Sequence, residues 1–232
     1  MDLYFGKPSD NKIILDEDES NHLINVKRAR NGDVVNVTDG EGHLYTTELL
    51  QTEKRICVLS ICETIVNKKK PYRLHLAIAP TKSIDRIEWF LEKTTETGID
   101  EISFLVCRHS ERKEIKLDRL NRVILSAMKQ SEKTYLPKIN AIVDFKVFVN
   151  RVNTDTKLIC TLNSSEYKSL KNNYHAGDSL TSLIGPEGDF HPDEVALAIQ
   201  NGYKPVTLGA SRLRTETAAL NVCTLFNFIN SQ

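Results

Sequence analysis

The chain is short of several things, and each shortage narrows what it can be. It has no excess of either charge: 31 basic and 31 acidic side chains among 232 residues leave a formal net charge of zero. The bulk attraction by which strongly basic proteins hold nucleic acid non-specifically is therefore excluded, and any RNA contact must come from a local patch. Long apolar runs are missing too. The longest, around Leu220–Phe226, is broken by Asn221 and Thr224, far below the roughly 20 residues of a membrane span. Met1-Asp2-Leu3-Tyr4 lacks the basic and apolar regions of a secretory signal, so a cytoplasmic protein with no membrane partner is expected. Five scattered cysteines (Cys57, Cys62, Cys107, Cys160, Cys223) form no CxxC pair. That pattern excludes a disulfide scaffold and a zinc site, and reads as reduced core thiols with no metal. What remains is ordinary globular material, 40 % hydrophobic and 27 % charged.

The first seventy residues, with 10 basic against 12 acidic side chains, read as β-rich. Strands are expected at Lys12–Leu15, Asp33–Asp39, Leu44–Leu50 and Arg55–Ile65, where residues alternate or Val, Ile and Thr are dense. Asp16–Val26 reads as a helix. Turns are marked by Asn31-Gly32-Asp33 and Asp39-Gly40-Glu41-Gly42. Short strands with tight turns predict a small closed barrel. The polar stretch Asn67–Pro71 reads as a linker, dividing the chain into domains 1–70 and 71–232. Beyond it strands (Arg73–Ala79, Glu101–Cys107, Lys157–Cys160, Ser179–Ile184, Pro205–Thr207) alternate with helices (Ser83–Thr97, Leu117–Lys129, Pro192–Gln200, Thr215–Ile229). That rhythm predicts an α/β domain with a mostly parallel sheet, which binds ligands at the carboxyl ends of its strands.

Two segments stand at such ends. In Leu183-Ile184-Gly185-Pro186-Glu187-Gly188-Asp189-Phe190-His191-Pro192 a strand runs into a turn whose two glycines let backbone approach a ligand. Composition alone is also that of an ordinary β-to-α turn. Without a following Lys-Ser/Thr, and with acids inside it, it is not a phosphate loop. In Leu208-Gly209-Ala210-Ser211-Arg212-Leu213-Arg214-Thr215-Glu216-Thr217 a strand again ends in glycine before a long helix, which Thr215 or Thr217 would cap. Capping does not account for Arg214, a cation at the positive end of a helix. Its position points to a partner, either an anionic substrate or Glu187. His109 and His191 read as loop histidines rather than bases. Tyr135 is open to stacking on a nucleobase or to packing.

Together Ile184-Gly185-Pro186-Glu187-Gly188-Asp189-Phe190, Leu208-Gly209 and Leu213-Arg214-Thr215-Glu216-Thr217-Ala218 resemble the RsmE family. These are SPOUT-class methyltransferases that act on N3 of a uridine in small-subunit (16S) ribosomal RNA, using S-adenosylmethionine. The likeness runs nearly the whole length. His22-Leu23 to Arg28, Gly32-Asp33 and Asp39-Gly40 are similar to the family's PUA-like barrel. Glu92–Gly98 resembles its Lys-x-Thr-Glu-Leu-Gly element, and Gln130-Ser131 with Leu136-Pro137 its central motif. Asp189 departs from the pattern, standing where the family often has a third glycine.

The resemblance implies a trefoil-knotted SPOUT domain behind a small PUA-like β-barrel, a homodimer, and ribosomal RNA, free or within the 30S particle, as partner. It implies cofactor contacts from Leu162, Ile184, Gly185, Pro186, Glu187, Gly188, Leu208, Gly209, Ser211, Leu213 and Thr217. Arg214 is expected to stabilise charge on the base, with Glu216 or Glu187 taking the N3 proton. RNA contacts are expected from Lys27, Arg28, Arg30, Lys82, Arg86, Arg108 and Arg112. Competing readings keep the fold but methylate a ribose 2′-oxygen or another base atom, or leave a non-catalytic RNA-binding module.

Overall fold

A computed structural model of the chain describes residues 2–53, 56–162 and 169–231; Arg55, expected to open a strand, lies outside them. The chain groups into two compact units, one of Met1–Lys69 with Leu125–Leu136, the other of Lys70–Ile124 with Pro137–Gln232.

In the first unit six strands form one sheet: β1 (Leu3–Phe5), β2 (Pro8–Ser9), β3 (Lys12–Ile14), β4 (Val34–Thr38), β5 (His43–Glu53) and β6 (Ile56–Val66). Their order is β1-β4-β5-β6-β3-β2, antiparallel except for β1 beside β4. Alternation puts Val35 and Val37 of β4 and Tyr45 and Leu49 of β5 inward, where they meet Ile13, Leu15, Leu23, Cys57 and Leu59. The sheet curls around that core. A Cβ on Gly6 would lie 2.6 Å from Ile13 and 3.6 Å from Val37, although β3 and β4 are far apart in the strand order. The expected helix is real but changes character: α1 (Glu17–Asn21), capped by Asp16 accepting from the Glu19 amide, runs into a π-helical turn at His22–Val26.

The Asp39–Gly42 turn closes on a buried carboxylate. Asp39 Oδ1 accepts from the Glu41 and His43 amides, and Oδ2 from the His43 ring (2.6 Å) and the Tyr45 hydroxyl (3.1 Å). Burial opposes its charge, but these donors outweigh burial and hold the carboxyl below its ordinary range. Gly42, at φ 106°, lies under the Tyr135 ring, 2.4 Å from where a Cβ would stand. The sequence reading put residues 125–136 in the second domain, and the contacts explain why they join the first. The Thr134 carbonyl accepts from the Gly42 amide, the Leu136 amide donates to the Gly40 carbonyl, and Lys129 pairs with buried Glu19. Tyr135 is engaged as well, donating to the Asn67 carbonyl with Lys69 over its ring.

The second unit is a six-stranded, wholly parallel sheet: β7 (Leu74–Ile78), β8 (Glu101–Val106), β9 (Lys138–Asp144), β10 (Thr156–Cys160), β11 (Leu180–Ile184) and β12 (Lys204–Val206), ordered β12-β10-β11-β7-β8-β9. Its helices are α2 (Ile84–Thr97), α4 (Phe145–Arg151), α5 (Pro192–Gln200) and α6 (Thr215–Asn230), together with the first half of α3 (Leu117–Gln130), whose residues from Leu125 onward group with the first unit. Ala77, Leu105, Ile159 and Leu183 share a core with Phe145, Phe148, Phe190, Ala198 and Tyr203, the side covered by α4 and α5. Helix α6 packs on α2, β7 and β11, burying Ala219, Val222, Cys223 and Phe226. Gly98 ends α2 at φ 112°, as expected of a C-cap. Strand β9 and helix α4 were not anticipated. Strand β9 is a half-buried edge whose sequence, Lys-Ile-Asn-Ala-Ile-Val-Asp, alternates weakly, and α4 has only seven residues.

From β12 at the sheet's edge the chain returns as α6 against β7 and β11, the stretch for which the resemblance implies a knot. Cys57, Cys107, Cys160 and Cys223 are buried and Cys62 is exposed. Among the described residues no helix is long and apolar enough to cross a membrane.

Candidate active site

At the carboxyl ends of β10, β11 and β12 lies a cavity of about 420 Å³. Its walls are Cys160–Leu162, Ile184–Glu187 with Asp189, and Thr207–Gly209 with Ser211–Thr215; Arg86 and Ala218 complete the lining. Nine of the eleven expected cofactor contacts are here: Leu162, Ile184, Gly185, Pro186, Glu187, Leu208, Gly209, Ser211 and Leu213. Gly188 and Thr217 are not among the lining residues. Gly188 faces His109, with ordinary room for a Cβ at 3.6 Å, and the glycine of this turn that a side chain would crowd is Gly185 instead. A Cβ there would stand 3.1 Å from the Phe190 ring and 3.2 Å from the Phe190 nitrogen. Gly209 adopts φ 121°, a conformation that favours glycine.

Helix α6 begins without a side-chain cap. Arg214 occupies the N-cap position with φ −70° and ψ 155°, and neither Thr215 nor Thr217 caps it. Thr215 is committed elsewhere: its hydroxyl donates to the Gly185 carbonyl at 3.1 Å, tying the helix start to the β11 turn. Arg214 lines the cavity and is exposed; its carbonyl accepts from the Ala218 amide, but its guanidinium has no hydrogen-bond or ion-pair partner among the described residues. Glu187 is not its partner. That carboxylate accepts from the Lys82 amide at 3.0 Å, while Arg212 donates to the Glu187 carbonyl at 3.2 Å. Glu216 is buried beside Arg86, with Oε1 3.8 Å from the Arg86 Nε and Oε2 without a hydrogen-bond partner among the described residues.

The remaining expected cations are divided. Arg86 lines the cavity. Lys82 pairs with Glu111, and Arg112 donates to the Thr81 and Lys82 carbonyls, binding two loops together. Arg108 pairs with Asp193 and meets the His191 ring. On the first unit Lys27 pairs with Asp2, whereas the exposed Arg28 and Arg30 side chains have no ion-pair partner among the described residues. His191 is the N-cap of α5 and His109 bonds the Asp189 carbonyl, so both are loop histidines as read.

Asp189 is the residue whose importance the sequence hid. Its φ of 63° is the left-handed conformation that a glycine adopts freely. Its side chain is fully used. Oδ2 accepts from the Thr161 hydroxyl and the Leu162 amide, both at 2.9 Å, and Oδ1 from the Phe190 amide at 2.8 Å. A Gly-to-Asp departure looks like lost freedom in sequence; in space it joins two walls of one cavity.

Comparison with known proteins agrees with this geometry. Residues 68–227 match the family model of an RNA methyltransferase domain, and residues 15–62 that of an RNA methyltransferase PUA domain. A relative from Mesomycoplasma hyopneumoniae, Ribosomal RNA small subunit methyltransferase E, is 29 % identical over 231 residues, covering 96 % of both chains. The solved structure of a probable rRNA-methyltransferase from Porphyromonas gingivalis superposes with a TM-score of 0.93 at 36 % identity, covering 100 % of this chain and 99 % of that one. A Ribosomal RNA small subunit methyltransferase E from Neisseria gonorrhoeae, solved bound to S-adenosyl methionine, gives 0.89 at 25 % identity, covering 99 % and 98 %. With one family model spanning most of its length, the chain belongs to the RNA methyltransferase family, in the RsmE branch.

Proposed function

We propose that this chain transfers a methyl group from S-adenosylmethionine to N3 of a uridine in small-subunit ribosomal RNA, free or within the 30S particle, as a cytoplasmic homodimer. The observation that carries the reading is the cavity with unpaired Arg214 in its wall, beside the three loops that the motifs single out. Its volume is within the range of small-molecule sites. Leu162, Ile184, Leu208 and Leu213 suit an adenine ring, and Gly185 and Gly209 bring main chain into the lining. When bound, the cofactor supplies an electrophilic methyl on a sulfonium.

The chain's own residues must deal with a proton. Uridine N3 is protonated at neutral pH, so its lone pair is free only once that proton leaves. Arg214 stabilises the negative charge that then spreads to O2 and O4, with no counter-ion of its own among the described residues. Of the two carboxylates, Glu187 is committed to the Lys82 amide, whereas Glu216 keeps one oxygen uncommitted and is assigned the proton. The choice of N3 follows from the family resemblance. A dimer accounts for the exposure of Trp89 on α2 and Phe228 on α6, large apolar side chains that a second copy would cover.

The deciding experiment maps modified nucleotides in small-subunit ribosomal RNA from cells with and without the gene. An N3-methyluridine that disappears with the gene is expected. A lost 2′-O-methyl group instead would move the reaction to ribose. Light scattering at micromolar concentration should report a dimer, and a monomer would remove that part of the proposal. Neutralising Lys27, Arg28 and Arg30 together should flatten the salt dependence of RNA binding, because each lost phosphate contact releases fewer counterions.

A further inference from the structure

The two walls joined by Asp189 come from different crossovers of the sheet. Cys160–Leu162 leaves β10, while Gly185–Phe190 leaves β11, and the two strands are hydrogen-bonded neighbours. Past Cys160, where the ladder between them ends, the pair would be free to splay. Asp189 prevents this from the β11 side, with one oxygen taking both the Thr161 hydroxyl and the Leu162 amide. Its other oxygen takes the amide of Phe190, whose ring is buried against Phe145 and Gly185. The turn is further fixed by the Asp189 amide on the Pro186 carbonyl and by His109 on the Asp189 carbonyl. A strained left-handed aspartate is kept where glycine would be unstrained, and what the aspartate adds is this tie.

We propose that Asp189 is a positioning residue of the cofactor site: it fixes Leu162 against the β11 turn and so sets the width of the cleft between those two walls. Leu162 needs such a tie. It is a large apolar residue, 52 % exposed, in the lining of the cavity. Its hold through Asp189 is a pair of hydrogen bonds that a glycine could not supply. This role rests on the cofactor reading above, but the tie itself can be measured without any ligand.

The test compares the full-length protein with Asp189→Gly, Asp189→Asn and Thr161→Val, reading two quantities. Amide hydrogen exchange of the peptide ending at Leu162 should quicken in Asp189→Gly, less so in Asp189→Asn, which keeps one acceptor oxygen. Calorimetric affinity for S-adenosylhomocysteine should fall about tenfold to a hundredfold in Asp189→Gly, the scale on which a displaced binding wall is felt. Asp189→Asn and Thr161→Val should fall between it and the wild type. In steady-state assays the loss should sit in the cofactor KM, with kcat recovered at saturating cofactor. The midpoint of thermal unfolding should move little, because relief of the left-handed strain offsets the lost bonds. Unchanged exchange at Leu162, or unchanged affinity in Asp189→Gly, would overturn the proposal. Failure of the wild type to bind the ligand, with exchange still dependent on Asp189, would overturn the cofactor reading, and with it the role of the tie in binding.

Discussion

Helices α5 and α6 start at the same end of the same sheet and are built in opposite ways. Helix α5 is closed. His191 accepts from the Asp193 amide, Glu194 accepts from the His191 amide, and a proline fills the first position. Helix α6 is left open: its N-cap residue is an arginine with no cap bond, and the threonine beside it is turned to another loop. A helix N-terminus is electropositive, so the cation there costs stability rather than adding it. The difference locates the chemistry. Where local stability is complete the side chains at the helix start serve as scaffold, and where it is given up the unpaired group is free to act on a ligand.

The comparison breaks most visibly at Arg214. Arg214→Ala should lower single-turnover methylation by about a hundredfold or more, the usual loss for one preorganised charge-stabilising donor. Cofactor affinity should barely change, and raised pH should partly rescue the rate by helping N3 lose its proton. Lost cofactor binding with normal residual chemistry would make Arg214 a cofactor ligand instead.

The Asp39 turn is the closed design carried into the first unit. Asp39→Asn should destabilise that unit by about 1–3 kcal/mol, the cost of leaving buried donors without their acceptor. Because the carboxyl is held below its ordinary value, its contribution is present at neutral pH and is lost as pH falls through the lowered value. The wild type should therefore lose more stability below about pH 4 than the variant does. Parallel acid melts would remove Asp39 as the cause. Next in size, His191→Ala should cost roughly 1 kcal/mol by thermal unfolding, as cap removal does. Smallest is Arg214→Asp, which would close α6 as α5 is closed. A gain of about 0.5–1 kcal/mol, with methylation lost, is expected; a destabilised protein would show that the arginine is structural.

Much of this was legible in the residues. Strands run into glycine-marked turns at Ile184 and Val206, helices restart at Pro192 and Thr215, and nine of eleven named cofactor contacts line one cavity. Periodicity and turn residues show the elements because those signals are local, whereas the cofactor contacts were implied by the family resemblance. Periodicity did not see that Thr215 bonds Gly185, thirty residues away, rather than capping its own helix. Nor did it see that Lys82, Arg108 and Arg112 are cations with partners, since a charge run looks the same paired or free. Edge strand β9 and short α4 escaped because half-buried elements carry weak patterns.

Residues 125–136 complete the first unit, yet they are made after fifty-five residues of the second. During synthesis the curled sheet must therefore wait, with the Asp39–Gly42 turn lacking Thr134 and Tyr135 and Glu19 lacking Lys129. The order of translation and the order of completion do not coincide. A pulse-labelled nascent chain halted just after Lys69 should be protease-sensitive in that turn, and become resistant only once Leu136 has cleared the ribosome.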